Sequence, residues 1–152
     1  EEFEALTARA ERLVAGQPRQ AEECLERATA LYQGDFLDGM SFPGEDWCFW
    51  RREELARRYL TALQTLGDLR VERGCYEGAL EAYRRILARD PLREDAHRAV
   101  MRCLAQTGDR NGALQHYHSV VSLLQDELGV EPLAETSALY HTIAAGRAGA
   151  PS

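Results

Sequence analysis

Four histidines, four cysteines, a run of arginines and two neighbouring tryptophans are the residues whose types could do chemistry in this sequence. His116 and His118 stand two positions apart. On a helix such side chains point away from each other, whereas ligands for one metal ion on one face need a spacing of three or four. His97 and His141 have no acidic or cysteine cluster beside them in the chain, so all four histidines read as structural or surface residues. Cys24, Cys48, Cys75 and Cys103 are separated by more than 20 residues each, which leaves no CxxC or Cys/His ligand spacing. Buried thiols are the expectation, and no metal site is. Carboxylates are plentiful, yet none falls in a glycosidase or protease setting, and no GxSxG, P-loop or GxGxxG occurs. The acids read as a solvated surface. No catalytic residue and no cofactor is expected, and the chain does not read as an enzyme.

What remains is chemistry of contact. Arg51-Arg52 and Arg57-Arg58 place four arginines in eight positions, a pattern that could face phosphate. Glu53 and Glu54 precede Arg57 and Arg58 by four residues, the orientation that favours ion pairs on an exposed helix, and solvated pairs are the expected outcome. Phe42, Trp47, Phe49 and Trp50 bring both tryptophans within one helical turn. They read as a small core pinning their segment down, with Trp47 and Trp50 as the alternative anchors for a protein partner. A further candidate surface carries Gln64, Asp68, Arg98 and Arg102, polar and mixed in sign, suited to capturing a peptide or partner segment.

The elements that position these residues follow from a repeat. Leu60 to Arg93 reads as helix, tight turn, helix, with Gly74 at the turn and Ala79, Leu80, Tyr83, Ile86 and Leu87 at helical spacing after it. Gly74, Ala79, Tyr83 and Ile86 recur as Gly108, Ala113, Tyr117 and Val120, each pair 34 positions apart. That offset is the period of the tetratricopeptide repeat, a helical hairpin that needs a stacked neighbour to cover its apolar face. Gly16, Ala21, Leu25 and Ala28 have the same internal spacing and predict a third, degenerate hairpin. Gly16 and Gly74 are 58 residues apart rather than 34, so about 24 residues are inserted by the logic of the period.

The insert begins Tyr32-Gln33-Gly34-Asp35-Phe36-Leu37-Asp38-Gly39, with turn-forming residues, and Pro43-Gly44-Glu45-Asp46 leads into a long helix that runs to Gly74. Pro91 suits the first turn of the helix after it, and Gly108-Asp109 ends that helix and caps the next. Leu128-Gly129-Val130-Glu131-Pro132 breaks the pattern, and Leu133, Thr136, Leu139, Tyr140 and Ile143 form a terminal helix that covers the open end. The predicted fold is all-α, an α-solenoid of tetratricopeptide-like hairpins with about seven helices, an inserted loop and a long third helix. Residues 1–146 form one domain and residues 147–152 a disordered tail.

Composition agrees. Of 152 residues, 45% are hydrophobic and 28% charged, ordinary for a globular domain. The net charge of −7 disfavours wrapping a nucleic-acid backbone, which asks for a basic face. No signal peptide and no long apolar run occurs, so a cytoplasmic protein without a membrane contact is expected. The chain starts within a helical pattern and without a methionine. An excised fragment lacking a partner domain is the expectation.

Gly34-Asp35-Phe36-Leu37, Glu45-Asp46-Trp47, Arg52-Glu53-x-Leu55, Asp90-Pro91-Leu92-Arg93-Glu94 and Glu127-Leu128-Gly129-Val130-Glu131-Pro132 together resemble the bacterial transcriptional activator domain of SARP-type activators, a tetratricopeptide-like module. The resemblance covers nearly the whole chain, from about Glu4 to about Ala145. It implies that a winged-helix domain, missing here, binds DNA. The module itself would mediate dimerisation or contact other regulatory domains and RNA polymerase. Most of the positions matching the family, Asp35, Phe36, Trp47, Arg52, Leu55, Pro91, Leu92, Gly129 and Pro132, are expected to be architectural. The expected function is a non-enzymatic regulatory protein-interaction module of a bacterial transcription activator. The alternative is a stand-alone tetratricopeptide adaptor that captures a peptide segment of another protein.

Overall fold

A computed structural model describes residues 2–32 and 46–146, with side chains from residue 50 onward in the second stretch. Asp35 and Phe36 of the insert, the Phe42, Trp47 and Phe49 side chains, Cys48 and the tail 147–152, for all of which the sequence raises expectations, lie outside the described residues. The described residues form seven helices: α1 (Glu2–Leu13), α2 (Pro18–Leu31), α3 (Asp46–Glu72), α4 (Tyr76–Arg89), α5 (Glu94–Gln106), α6 (Arg110–Leu128) and α7 (Ala134–Ala144). No strand occurs among them. The chain divides into two compact units within α3, between Leu69 and Arg70.

In the first unit α1 and α2 form a hairpin whose apolar stripes, Phe3, Leu6 and Ala10 on one helix and Ala21, Leu25 and Ala28 on the other, are buried. Each large side chain so buried contributes about 1.5–3 kcal/mol, more than a helix of this length gains from propensity alone. Tyr32 at the end of α2 ties the hairpin to α3. Its ring lies 5.3 Å from Phe3 and stacks on Tyr59 at 4.4 Å, and all three rings are buried. The α1–α2 turn departs from the expectation. Gly16 matches Gly74 in spacing, yet it does not adopt a positive φ. The turn is instead closed by the Gln17 amide donating to the Leu13 carbonyl at 2.7 Å, with Pro18 at the first position of α2, where its missing N–H costs nothing.

The second unit holds the end of α3 and helices α4 to α7. Its two corners are superposable by the period. Gly74 and Gly108 have φ values of +80° and +89°. The Cys75 amide donates to the Arg70 carbonyl at 2.7 Å and the Asp109 amide to the Leu104 carbonyl at 2.8 Å. A glycine in the left-handed region with this back-bonding satisfies carbonyls that would otherwise be left without donors at a helix end. After each corner the chain re-enters a helix by the same step, Ala79 N–H to Cys75 C=O and Ala113 N–H to Asp109 C=O, at 3.0 and 3.1 Å.

Pro91 sits in the turn before α5 rather than in its first helical turn, since α5 begins at Glu94. The terminal helix closes the stack. Ile143 joins Met101 and Ala113 in a buried cluster, against which Leu114, Tyr117, Leu139 and Tyr140 pack. Glu94 of α5 anchors the entry to α7, accepting from the Leu133 amide at 2.9 Å and from the Thr136 hydroxyl at 2.6 Å, and Arg98 donates to the same hydroxyl at 3.1 Å. Thr136 is buried, so this polar knot satisfies groups whose desolvation would otherwise cost about 1–3 kcal/mol each. Among the described residues no helix is long and apolar enough to cross a membrane.

Candidate functional site

In the first unit α1, α2 and α3 enclose an open groove of about 430 Å³. Its floor is Ala10 of α1, Leu25 of α2 and Ala62 of α3, all buried. Two alanines facing the same space leave a depression that longer side chains would fill. The rim carries Glu54, Arg57 and Arg58 on α3 and Glu11 on α1. Threonines complete the wall, and two of their hydroxyls are spent on the backbone: Thr7 donates to the Glu4 carbonyl at 3.0 Å and Thr65 to the Thr61 carbonyl at 3.1 Å.

The arginine run does not form the ion pairs its spacing predicts. Arg51, not Arg58, takes Glu54, at 3.3 Å, and it reaches across to Glu4 of α1 with both of its terminal nitrogens, one of them at 3.1 Å. Those hydrogen bonds hold the Glu4 carboxyl below its ordinary range, and Coulombic attraction from Arg51 and Arg58 adds to the effect. A forked guanidinium meeting a carboxylate in two places is geometrically favourable in a way that a point-like i,i+4 contact is not. Glu53 and Arg57 form no ion pair among the described residues, nor do Glu54 and Arg58. Arg57 and Arg58 are both exposed.

The expected partner residues take up these positions. Gln64 and Asp68 lie one turn apart on α3, and the Gln64 amide nitrogen donates to the Asp68 carboxylate at 3.1 Å, while the Gln64 side-chain oxygen is buried without a partner. Arg98 and Arg102 lie one turn apart on α5; Arg98 is engaged by Thr136 and Arg102 is exposed. Trp50 is 65% exposed. Of the described cysteines, Cys24 and Cys103 are buried as expected and Cys75 only half so.

One pairing was not legible from motif spacing. His97 of α5, buried, faces His116 of α6, with Nδ1 and Nε2 2.9 Å apart. The other nitrogen of His97, Nε2, lies 2.6 Å from the Pro91 carbonyl. A carbonyl can only accept, so His97 Nε2–H donates to it. A neutral His97 then accepts at Nδ1 from His116 Nε2–H. Burial pushes the His116 imidazole down to about 4, and a proton on His97, like the charge of Arg84, would push the same way. The signal available in sequence is hairpin geometry: both residues sit about two to three helical turns from the Gly108 corner, on antiparallel helices. Two imidazoles do not make a metal centre, and among the described residues no group of three or more His, Cys, Asp or Glu could hold an ion.

Comparison with known proteins settles what kind of module carries these features. Residues 1–144 match the family described as the bacterial transcriptional activator domain. The chain belongs to that family. It is 33% identical over 118 residues to the regulatory protein AfsR of Streptomyces coelicolor, covering 78% of this chain and 12% of that protein. It is 32% identical over 139 residues to the regulatory protein AfsR of Streptomyces griseus, covering 91% of this chain and 14% of that protein. The chain therefore spans only a small part of the length of these relatives. Among solved structures, Mycobacterium tuberculosis EmbR in complex with a low-affinity phosphopeptide superposes with a TM-score of 0.78 at 20% identity, covering 96% of this chain and 38% of that one. This likeness establishes the all-α fold. The family is described as a transcriptional activator domain and these relatives as regulatory proteins.

Proposed function

We propose that this domain is the non-enzymatic protein-interaction module of a transcription activator. Its partners are a second copy of the chain, other regulatory domains or RNA polymerase, and DNA is contacted by a winged-helix domain outside this chain. The observation that carries the reading is the family match across residues 1–144. The net charge of −7 supports it, because a face that neutralises phosphates has to be basic. The proposed partner-contacting residues are Trp47, Trp50, Gln64 and Asp68 on α3 in the first unit and, separately, Arg98 and Arg102 on α5 in the second. The exposure of Trp50 supports an anchoring role, since a large aromatic on a surface gains most from being covered by a partner. With Arg98 held by Thr136, Arg102 is the more available cation of its pair.

The test is a transcription reporter in a bacterial host. The chain is fused to an unrelated DNA-binding domain whose operator lies upstream of a weak promoter. Transcription is expected to rise above that of the DNA-binding domain alone and to fall with Trp50→Ala. No rise, together with binding of the isolated chain to promoter DNA that weakens steeply with salt, would place DNA contact in this domain and overturn the reading.

A further inference from the structure

The groove between α1 and α3 has no part in the reading above, and its residues specify a ligand class. We propose that it is a binding site for a small organic acid, a carboxylate joined to a compact apolar body. Three observations carry this. The volume, about 430 Å³, lies in the range of small-molecule sites, and the open groove is bounded by side chains of three helices, which suits a small ligand better than a polypeptide segment. The floor of Ala10, Leu25 and Ala62 offers an apolar body nothing but carbon. At the rim, Arg57 and Arg58 are two guanidiniums with no ion pair among the described residues.

The last point is the discriminating one. The chain has 25 acidic residues against 18 basic ones, and Glu53 and Glu54 stand four positions before the two arginines. Carboxylates are therefore in excess and at hand. Yet Glu54 is drawn to Arg51, which is itself fixed on Glu4 across the helix pair, and the two rim arginines form no ion pair within the described residues, although Arg58 feels the Glu4 charge. A carboxylate placed there would accept charge-assisted hydrogen bonds from either guanidinium. Glu11, on the facing wall, and Glu54, whose charge is shared with Arg51, oppose a second negative group, so a monoanion suits the site better than a dianion. Glu11 also supplies an acceptor for a hydroxyl on the ligand.

The experiment titrates the full chain, isotopically labelled, with octanoate, octanol and octylammonium, and follows backbone amide shifts. Octanoate is expected to saturate, with shifts concentrated at Ala10, Thr61 and Ala62. The Arg57→Gln/Arg58→Gln variant, whose changes are confined to exposed positions, should keep its helical circular dichroism and weaken octanoate binding by about tenfold. Octanol and octylammonium should bind distinctly more weakly than octanoate. Equal binding of all three would show a groove that takes any alkyl chain, and would overturn the proposal. So would octanoate binding that the double variant leaves unchanged, no saturation at all, or competition at these residues by an acidic peptide where octanoate fails. The measurement needs only the isolated chain, so a negative result leaves the reporter result and the regulatory reading standing.

Discussion

The corners at Gly74 and Gly108 are built by the same backbone and finished by different side chains. Both glycines are left-handed, and both corners close with the same donors and acceptors shifted by the repeat period. At the second corner Asp109 caps α6, its carboxylate accepting from the Gly112 amide at 2.9 Å. At the first corner the equivalent residue is Cys75, which makes no capping bond to α4. The same holds deeper in the hairpins. The positions of His97 and His116 correspond, one period earlier, to Leu63 and Ala82, both fully buried. The period thus dictates the turn, which depends on one glycine and on helix length, while the side chains filling equivalent places are free to be apolar in one repeat and polar in the next.

The largest effect that sharpens this comparison is at the paired tyrosines. Tyr83 is buried, and Tyr83→Ala should destabilise the fold by about 3–5 kcal/mol in chemical denaturation. Tyr117, its equivalent, is half-buried, stacking on Tyr140 of α7 at 4.2 Å and bonding Ser137 at 3.3 Å. Tyr117→Ala should cost about half as much. Equal losses would mean that the terminal helix covers its repeat as fully as a complete hairpin would.

The histidine pair gives the next effect. His116 titrates near 4 in the folded chain against 6.5 ordinarily, so between those values the unfolded chain holds a proton that the folded chain lacks. Stability is then complete above 6.5 and is lost as the pH falls towards 4. Allowing for partial solvent screening, the loss is about 1–2 kcal/mol. Giving the pair the residues of the preceding repeat, His97→Leu with His116→Ala, should cost only about 1 kcal/mol at neutral pH, because the two imidazoles leave together and only the bond to the exposed Pro91 carbonyl is lost. It should also remove that part of the acid sensitivity, read from denaturation midpoints across the pH range. An undiminished slope would assign it to carboxylates instead.

The caps give the smallest effect. Asp109→Ala should cost about 1 kcal/mol, and Cys75→Asp, which transplants the cap to the corner that lacks one, should gain up to about the same. A loss on Cys75→Asp would show that the two helix starts are not equivalent.

Most of the architecture was legible because it rests on periodic features: apolar stripes at helical spacing, and glycines at a fixed offset. Gly16 misled because spacing alone does not specify φ; Pro18 begins α2 without needing a left-handed residue before it. The arginine run misled because local spacing ranks partners by sequence distance, while Arg51 found Glu4, 47 residues away, on another helix. The groove was invisible for a related reason. Its floor combines one residue from each of three helices, and nothing in a linear pattern marks Ala10 and Ala62 as neighbours of the same empty space.

The central claim is that two stretches 34 residues apart fold to one backbone corner, and amide hydrogen exchange on the native chain tests it directly. Cys75 and Asp109, whose amides bond back to Arg70 and Leu104, should both be protected and should open with free energies alike within about 1 kcal/mol. Free exchange at either amide, or protection at only one, would contradict the account.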